Sequence, residues 1–373
     1  MDIGPVAVIK TVFILTPEPP ESLGGMEHFV REMIRGLNSR GYRVEVFHRG
    51  NSEPEWFAKR TGRVGKKLAG TLRGYWIGRK ARENMTDDLV AVISNSDAGF
   101  YPLRRTAPLR KIHFYHGTYR GQSEAIRPSI KYSGYLYLKW WNSMVLERLS
   151  GRGKLVLTNS EQSRDEVRRF FGQEAITVWL PIDTERFKPA DPGASRKVLN
   201  LPADKAIGLF VGSMHPMKGF PIVRLLMDRL PGVHWVLALR GDLPEDQVAR
   251  PGVTTVQNVS PEQISLFYNA ADFSVCPSVY EPFGYVVAES LACGTPVIAS
   301  PGGASRLFLR EPPLDKLFLP DPNAVNGFQA AAEEVLRDPG FYRRVVIERV
   351  RPKLEDLMAP ENWWRRFIEA AGL

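Results

Sequence analysis

Cysteine is nearly absent: the 373 residues contain only Cys276 and Cys293. Two thiols on apolar stretches cannot build a disulfide framework, and no Cys/His cluster has the spacing of zinc ligands. Nor does any apolar run approach the ~20 residues that a membrane-spanning helix needs. The N-terminus lacks the basic start, apolar core and small-residue cleavage site of a signal peptide, so a reducing cytoplasm is the expected compartment. No Asp-x-Asp pair, internal repeat or low-complexity run is present. Acidic residues are missing altogether from Lys59 to Arg82, where nine Lys/Arg occur.

What is present fits a globular α/β protein. Hydrophobic residues make up 43 % and charged residues 24 %, and the length allows two domains of ordinary size. Charge is unevenly placed. Residues 1–188 carry 31 Lys+Arg against 20 Asp+Glu, whereas the remainder carries 19 against 21. The first half therefore tolerates or faces something anionic. Its most unusual segment is 55–82, where Phe57, Val64, Leu68, Leu72, Tyr75 and Trp76 recur at helical spacing among the cations. Such a helix suits an anionic membrane surface, or packs its stripe on its own domain. Gly62, Gly65, Gly70 and Gly74 weaken it as a helix, and no nucleic-acid recognition fold is apparent.

In chain order, Val6–Leu15 reads as a strand, then a Pro-rich loop, then a helix opened by Gly24-Gly25. Met26, Phe29, Val30, Met33, Ile34 and Leu37 give that helix one apolar face. Glycine before a helix lets backbone amides approach a ligand closely, or simply makes a turn. Further strands are expected at 42–47, 89–94, 111–115 and 155–158, with His116-Gly117 at the end of the fourth. Pro128–Leu149 carries Tyr132, Tyr135, Tyr137, Trp140 and Trp141 and reads as a buried helix, with some of the aromatics on a ligand-facing side. Residues 190–205 read as a linker. A strand at 206–211 then leads into Gly212-Ser213-Met214-His215-Pro216-Met217-Lys218-Gly219, and Arg240 follows another strand.

The chain is organised around Cys276–Gly303, CPSVYEPFGYVVAESLACGTPVIASPGG. It reads as strand, loop, helix and strand of a parallel sheet, with Gly294 as a left-handed cap. In such sheets ligands bind beyond the carboxyl ends of the strands. Glu281 lies in the loop and Glu289 inside the helix. Both suit hydroxyl-rich ligands such as a sugar ring and a ribose. The amides around Phe283, Gly284 and Tyr285 form a helix N-terminus that favours phosphate.

This wording, PSxxEPFGxxxAExLAxGxPVIAS, resembles the signature of the retaining glycosyltransferases of family 4. Asn159-Ser160-Glu161, Pro181-Ile182-Asp183 with Phe187 and Pro189, and VSPEQISLFYNAAD from Val259 resemble the same family. The resemblance implies the GT-B fold, with two Rossmann-like doubly wound parallel-sheet domains facing a central cleft. It implies an acceptor-side domain at 1–189, a nucleotide-sugar domain at 190–356, and a helix at 357–373 crossing back to the first. It implies that Glu281 holds the transferred sugar, Glu289 the ribose and Lys218 the donor diphosphate. His116 would contact the sugar, and Gly24 and Gly25 would lie near the donor and acceptor. Ser213 departs from the family, which has Arg there, so Arg240 is the candidate for the missing cation. The expected reaction is metal-independent, retaining transfer of a hexose from a nucleotide-diphosphate sugar, UDP before GDP, with no cofactor. The acceptor would be a glycan, lipid-linked or small-molecule hydroxyl. The alternatives are a non-catalytic relative that binds a surface or partner, and a nucleotide-sugar epimerase.

Overall fold

The computed structural model describes residues 10–373 except Leu23, 59–62, 104–107, 242–249 and Pro261, and the backbone alone over 57–58 and 63–71. The expected strand residues Val6–Ile9, and Lys59, Gly62, Asp242 and Pro261, lie outside the described residues, as do the side chains of Phe57, Val64 and Leu68. Two compact units are formed: residues up to Leu180 together with Trp364–Leu373, and Pro181–Trp363.

The first unit is built on six parallel strands, β1 (Thr11–Leu15), β2 (Arg43–Phe47), β3 (Leu89–Asn95), β4 (Arg110–Tyr115), β5 (Leu155–Thr158) and β6 (Ile176–Thr177). Their spatial order is β2-β1-β3-β4-β5-β6. All five residues of β1, TVFIL, are buried, as a strand covered by helices on both faces requires. Phe13 packs edge-on to Phe47 at 4.9 Å, in a core with Leu15, Ile77, Val92 and Leu103. The chain runs outward from β1 to β2 and then starts again on the other side with β3. The switch point of this sheet lies between β1 and β3.

The second unit has β7 (Ala206–Gly212), β8 (Val233–Leu239), β9 (Val253–Gln257), β10 (Phe273–Cys276) and β11 (Val297–Ala299) in the order β11-β10-β7-β8-β9, again all parallel. Trp235 and Phe273 meet edge to face at 5.8 Å in its core. Its switch point is between β7 and β10, so the loops after those strands are where a ligand is expected.

Three sequence expectations are refined. The helix Arg63–Glu83 forms despite its glycines, and among its described side chains Gly74, Ile77, Gly78 and Ala81 are buried while Tyr75 and Trp76 are half-buried, Tyr75 against Tyr101 and Trp76 against Trp56. Small residues there allow close packing: a Cβ on Gly78 would lie 2.2 Å from Tyr101. Part of its positive charge is spent internally, because Arg73 pairs with Glu18 at 2.9 Å and Arg79 with Glu83 at 2.8 Å. In the aromatic stretch, Tyr135 and Leu146 are buried, but Trp140 and Trp141 are 56 % and 44 % exposed. The chain winds as a π-helix over Tyr137–Glu147, so residues share a face at a wider interval than the α-helical spacing assumes. Finally, the expected linker contains a helix, Pro192–Val198, capped by Asp191. It is tied to the second unit by Arg196–Asp272 at 2.8 Å and by Ala190 N donating to Asn269 Oδ1 at 2.8 Å.

The C-terminal helix, Pro360–Ala371, has Trp363 and Phe367 fully buried. Gly36 in the helix Gly25–Asn38 lies against Trp364, where an added Cβ would come within 1.8 Å of the indole. Gly36→Ala is expected to cost about 1–3 kcal/mol through overpacking. Calorimetry checks it, and an unchanged melting temperature would show that the indole moves aside freely.

Candidate functional site

The loops after β7 and β10 carry the charged centre of the second unit. Lys218 ends a tight turn, Pro216–Lys218, whose imidazole cap is His215, and Gly219 follows in a left-handed conformation with φ of 74°. A side chain at Gly219 would meet the Pro277 carbonyl oxygen at 2.1 Å, so glycine is required by the close approach of the two loops. Val279 N donates to Met217 O at 2.9 Å and stitches them together. On that frame Lys218 Nζ donates to Glu281 Oε2 at 2.7 Å. Ser278 Oγ donates to the same oxygen at 3.3 Å. The Glu281 carboxylate raises the Lys218 ammonium above its ordinary pKa, against the opposing effect of burial.

Glu281 is also held from behind. Its backbone bridges to Gly302, and its carbonyl accepts from Gly303 N at 3.1 Å. The turn Phe283–Gly284 places buried Phe283 4.8 Å from the Tyr285 ring, and Gly284 takes φ of 95° as the helix Tyr285–Ala292 begins. Glu289 lies in the second turn of that helix and accepts from Tyr268 Oη at 2.9 Å. Burial pushes its carboxyl up to about 7, while the Tyr268 hydrogen bond and the charges of Arg240 and Arg186 pull it down. Arg240 acts electrostatically on both Glu289 and Lys218. The structure thus brings Lys218 and Glu281 together at the switch point of one sheet, with Glu289 in the helix that follows and Arg240 just beyond the end of β8. Half-buried Ser213 lies one residue beyond β7.

Glu289 makes stability depend on pH. Its folded pKa lies above the ordinary 4.5, so the folded state holds the proton more tightly than the unfolded one. The stability this group contributes is complete below about 4.5 and is lost as pH rises through about 7. Glu289→Gln is expected to flatten the melting temperature over that window. A wild-type and variant pair with parallel pH profiles would contradict it.

In the first unit, His116 follows β4 and stacks on Phe114 at 4.9 Å, with Phe29 edge-on at 4.9 Å. Burial pushes its pKa down to about 3, so the imidazole is neutral at physiological pH. Asn95 Nδ2 donates to Leu15 O at 3.3 Å, which leaves Oδ1 to accept from His116 Nε2–H at 3.0 Å. Nδ1 is then the unprotonated nitrogen, able to accept a hydrogen bond from a hydroxyl. Asn95 therefore ties His116 to the β1–β3 switch point. Gly24 stands extended before the helix Gly25–Asn38, and the Glu27 carboxylate folds back to within 1.9 Å of where its Cβ would be.

Sequence reasoning missed Asn95, Tyr268 and Ser278 as partners of the candidate residues. Asn95 ends a strand and Ser278 follows Pro277 in the loop, signals that mark position but name no partner. Among the described residues, no group of three or more His, Cys, Asp or Glu is placed to hold a metal ion. No described helix is long and apolar enough to cross a membrane.

Comparison with known proteins agrees with this architecture. The chain aligns over 97 % of its length with the sucrose-phosphate synthase of Thermosynechococcus elongatus, covering 100 % of that structure, with a TM-score of 0.78 and 22 % identity. It aligns over 98 % with HepE of Anabaena in complex with UDP and glucose, covering 99 % of it, with a TM-score of 0.68 and 16 % identity. These likenesses show the GT-B fold of glycosyltransferases. Residues 193–351 match the family described as glycosyl transferases group 1, and residues 23–186 match Glycosyltransferase Family 4. Over 290 residues the chain is 30 % identical to a probable transglycosylase of Burkholderia thailandensis, covering 74 % of this chain and 73 % of that protein. The chain belongs to glycosyltransferase family 4, a retaining family, and transfers a sugar from a nucleotide sugar.

Proposed function

We propose that the chain moves a hexose from a UDP-sugar to a hydroxyl of a glycan, lipid-linked or small-molecule acceptor, with retention of configuration. The observation that carries this reading is the Lys218–Glu281 pair at 2.7 Å on the switch point of the second sheet. An ammonium has three donors. One is fixed on Glu281, and two remain for the oxygens of a diphosphate. Arg240 adds the second positive charge that the Arg-to-Ser departure at Ser213 removes. The amides at Gly284 and Tyr285 add the partial charge of a helix N-terminus. Glu281 holds hydroxyls of the transferred sugar, Glu289 accepts from the ribose, and His116 accepts from a sugar hydroxyl through Nδ1.

In the proposed step the bond between the anomeric carbon and the diphosphate oxygen breaks, and its electron pair stays on the diphosphate. Lys218, Arg240 and the helix amides stabilise the charge that develops there. The acceptor oxygen bonds to the anomeric carbon on the face the diphosphate leaves, and its proton passes to a phosphate oxygen. UDP is placed before GDP because HepE, with the same fold, is bound to UDP and glucose. The experiment is a thermal-shift comparison of UDP, GDP and ADP with their sugar conjugates. A larger shift with GDP or ADP would move the donor assignment to that nucleotide.

A further inference from the structure

The first unit contains a cavity of about 480 Å³ whose lining residues carry none of the roles assigned above. It lies on one face of the first sheet, under the segment that leaves β3 and before the start of β5. Leu15, Val92, Phe100, Leu103 and Leu149 make its apolar wall. Three cations, Lys111, Arg152 and Lys154, line it as well, and among the described residues no carboxylate does. Parallel register places these groups together. Lys111 pairs with Val92 across β3 and β4, and Lys154 comes one residue before the pairing of Leu155 with Ile112. Leu149 and Arg152 are exposed and mark the mouth.

Lys154 is the unusual member. Its Nζ donates to the Gly99 carbonyl at 2.6 Å and to Ser94 Oγ at 3.2 Å. Ser94 Oγ also meets His113 Nδ1 at 2.9 Å, and His113 Nε2 is buried with no hydrogen-bond partner among the described residues. Burial and the like charge of Lys111 push Lys154 down to about 7. Burial, Lys154 and His116 hold the His113 imidazole well below its ordinary pKa. Positive charge is thus packed into this region at a cost that an anion would relieve. The volume falls within the ~300–1,000 Å³ of small-molecule sites, which are mostly apolar with a few convergent polar groups.

We propose that this cavity binds an anionic amphiphile, with a phosphate or carboxylate head at Lys111, Arg152 and Lys154 and an apolar chain along Leu15, Val92 and Leu103. The head alone could come from free phosphate, whereas the apolar wall calls for a lipid-like ligand. This cavity belongs to the first unit and the Lys218–Glu281 centre to the second, and the proposal does not depend on the donor assignment.

Titration calorimetry on the full chain tests it with three probes: decyl phosphate below its micelle concentration, inorganic phosphate, and the neutral decyl maltoside. Decyl phosphate is expected to bind at least about tenfold more tightly than inorganic phosphate, and decyl maltoside not measurably. Lys154→Met and Arg152→Ala should each weaken decyl phosphate at least about tenfold. Arg152 is exposed, so its substitution keeps the test intact if the buried lysine variant folds poorly. Equal binding of decyl phosphate and inorganic phosphate overturns the apolar half of the proposal. Binding that survives Arg152→Ala unchanged, binding of the maltoside as tight as that of decyl phosphate, or no binding of decyl phosphate overturns the site.

Discussion

Glu281→Ala is expected to lower sugar transfer by about 100- to 1,000-fold, the range seen when one preorganised polar contact to a transition state is removed. Its carboxylate is not a mobile loop group. Lys218 and Ser278 hold its oxygen, and the backbone at Gly302 and Gly303 holds the Glu281 main chain. A carboxylate held this way keeps its place as the sugar centre becomes positively charged, when hydrogen bonds to the ring hydroxyls strengthen. The loss should appear in kcat more than in the affinity for UDP, which lacks the sugar. UDP release from the donor in the presence of acceptor is the readout for the rate. Turnover close to wild type would remove Glu281 from the mechanism. A second consequence is structural: Lys218 is left without its partner in a half-buried site, so the melting temperature should fall modestly, with solvent screening limiting the change.

Lys218→Ala is expected to weaken UDP binding by about 30-fold, roughly the 2 kcal/mol of a charge-assisted hydrogen bond to phosphate. The effect belongs to the diphosphate, so uridine should bind wild type and variant equally. Arg240→Ala should weaken UDP less, because Arg240 is exposed and acts across a longer distance through solvent. If Arg240→Ala costs more than Lys218→Ala, the compensating cation for Ser213 is the principal one, and the diphosphate lies closer to β8 than proposed. Calorimetric titration of the three proteins with UDP and uridine separates these outcomes.

Much of the fold was legible because local chemistry and tertiary demand agree. The run TVFIL could only be a covered strand, and Gly294 with φ of 78° ends its helix as the sequence suggests. The Cys276–Gly303 stretch was legible for the same reason: strand, glycine turn, helix and strand follow in an order that parallel sheets impose. The pairings were harder to see. Lys218 and Glu281 are 63 residues apart, and they meet because β7 and β10 are neighbours in the sheet. Tyr268 reaches Glu289 across 21 residues, from a helix whose own periodicity marks the tyrosine only as core. Asn95 became visible as the partner of His116 only when β1, β3 and β4 lay side by side. The exposed Trp140 and Trp141 were misread because π-helical winding changes which residues share a face. The helix at 192–198 was misread because a proline at its start marks a loop and a helix first turn equally well.

On this proposal the loops at the β7–β10 switch point bind a nucleotide diphosphate despite serine at position 213. The most direct measurement is the thermal shift of the chain with UDP. At about 100 times the dissociation constant, a ligand of the folded state stabilises by about 2.7 kcal/mol, which raises the melting temperature measurably. A clear shift with UDP is expected, reduced in Lys218→Ala. No shift with UDP, GDP or ADP, or one that Lys218→Ala leaves untouched, would contradict it.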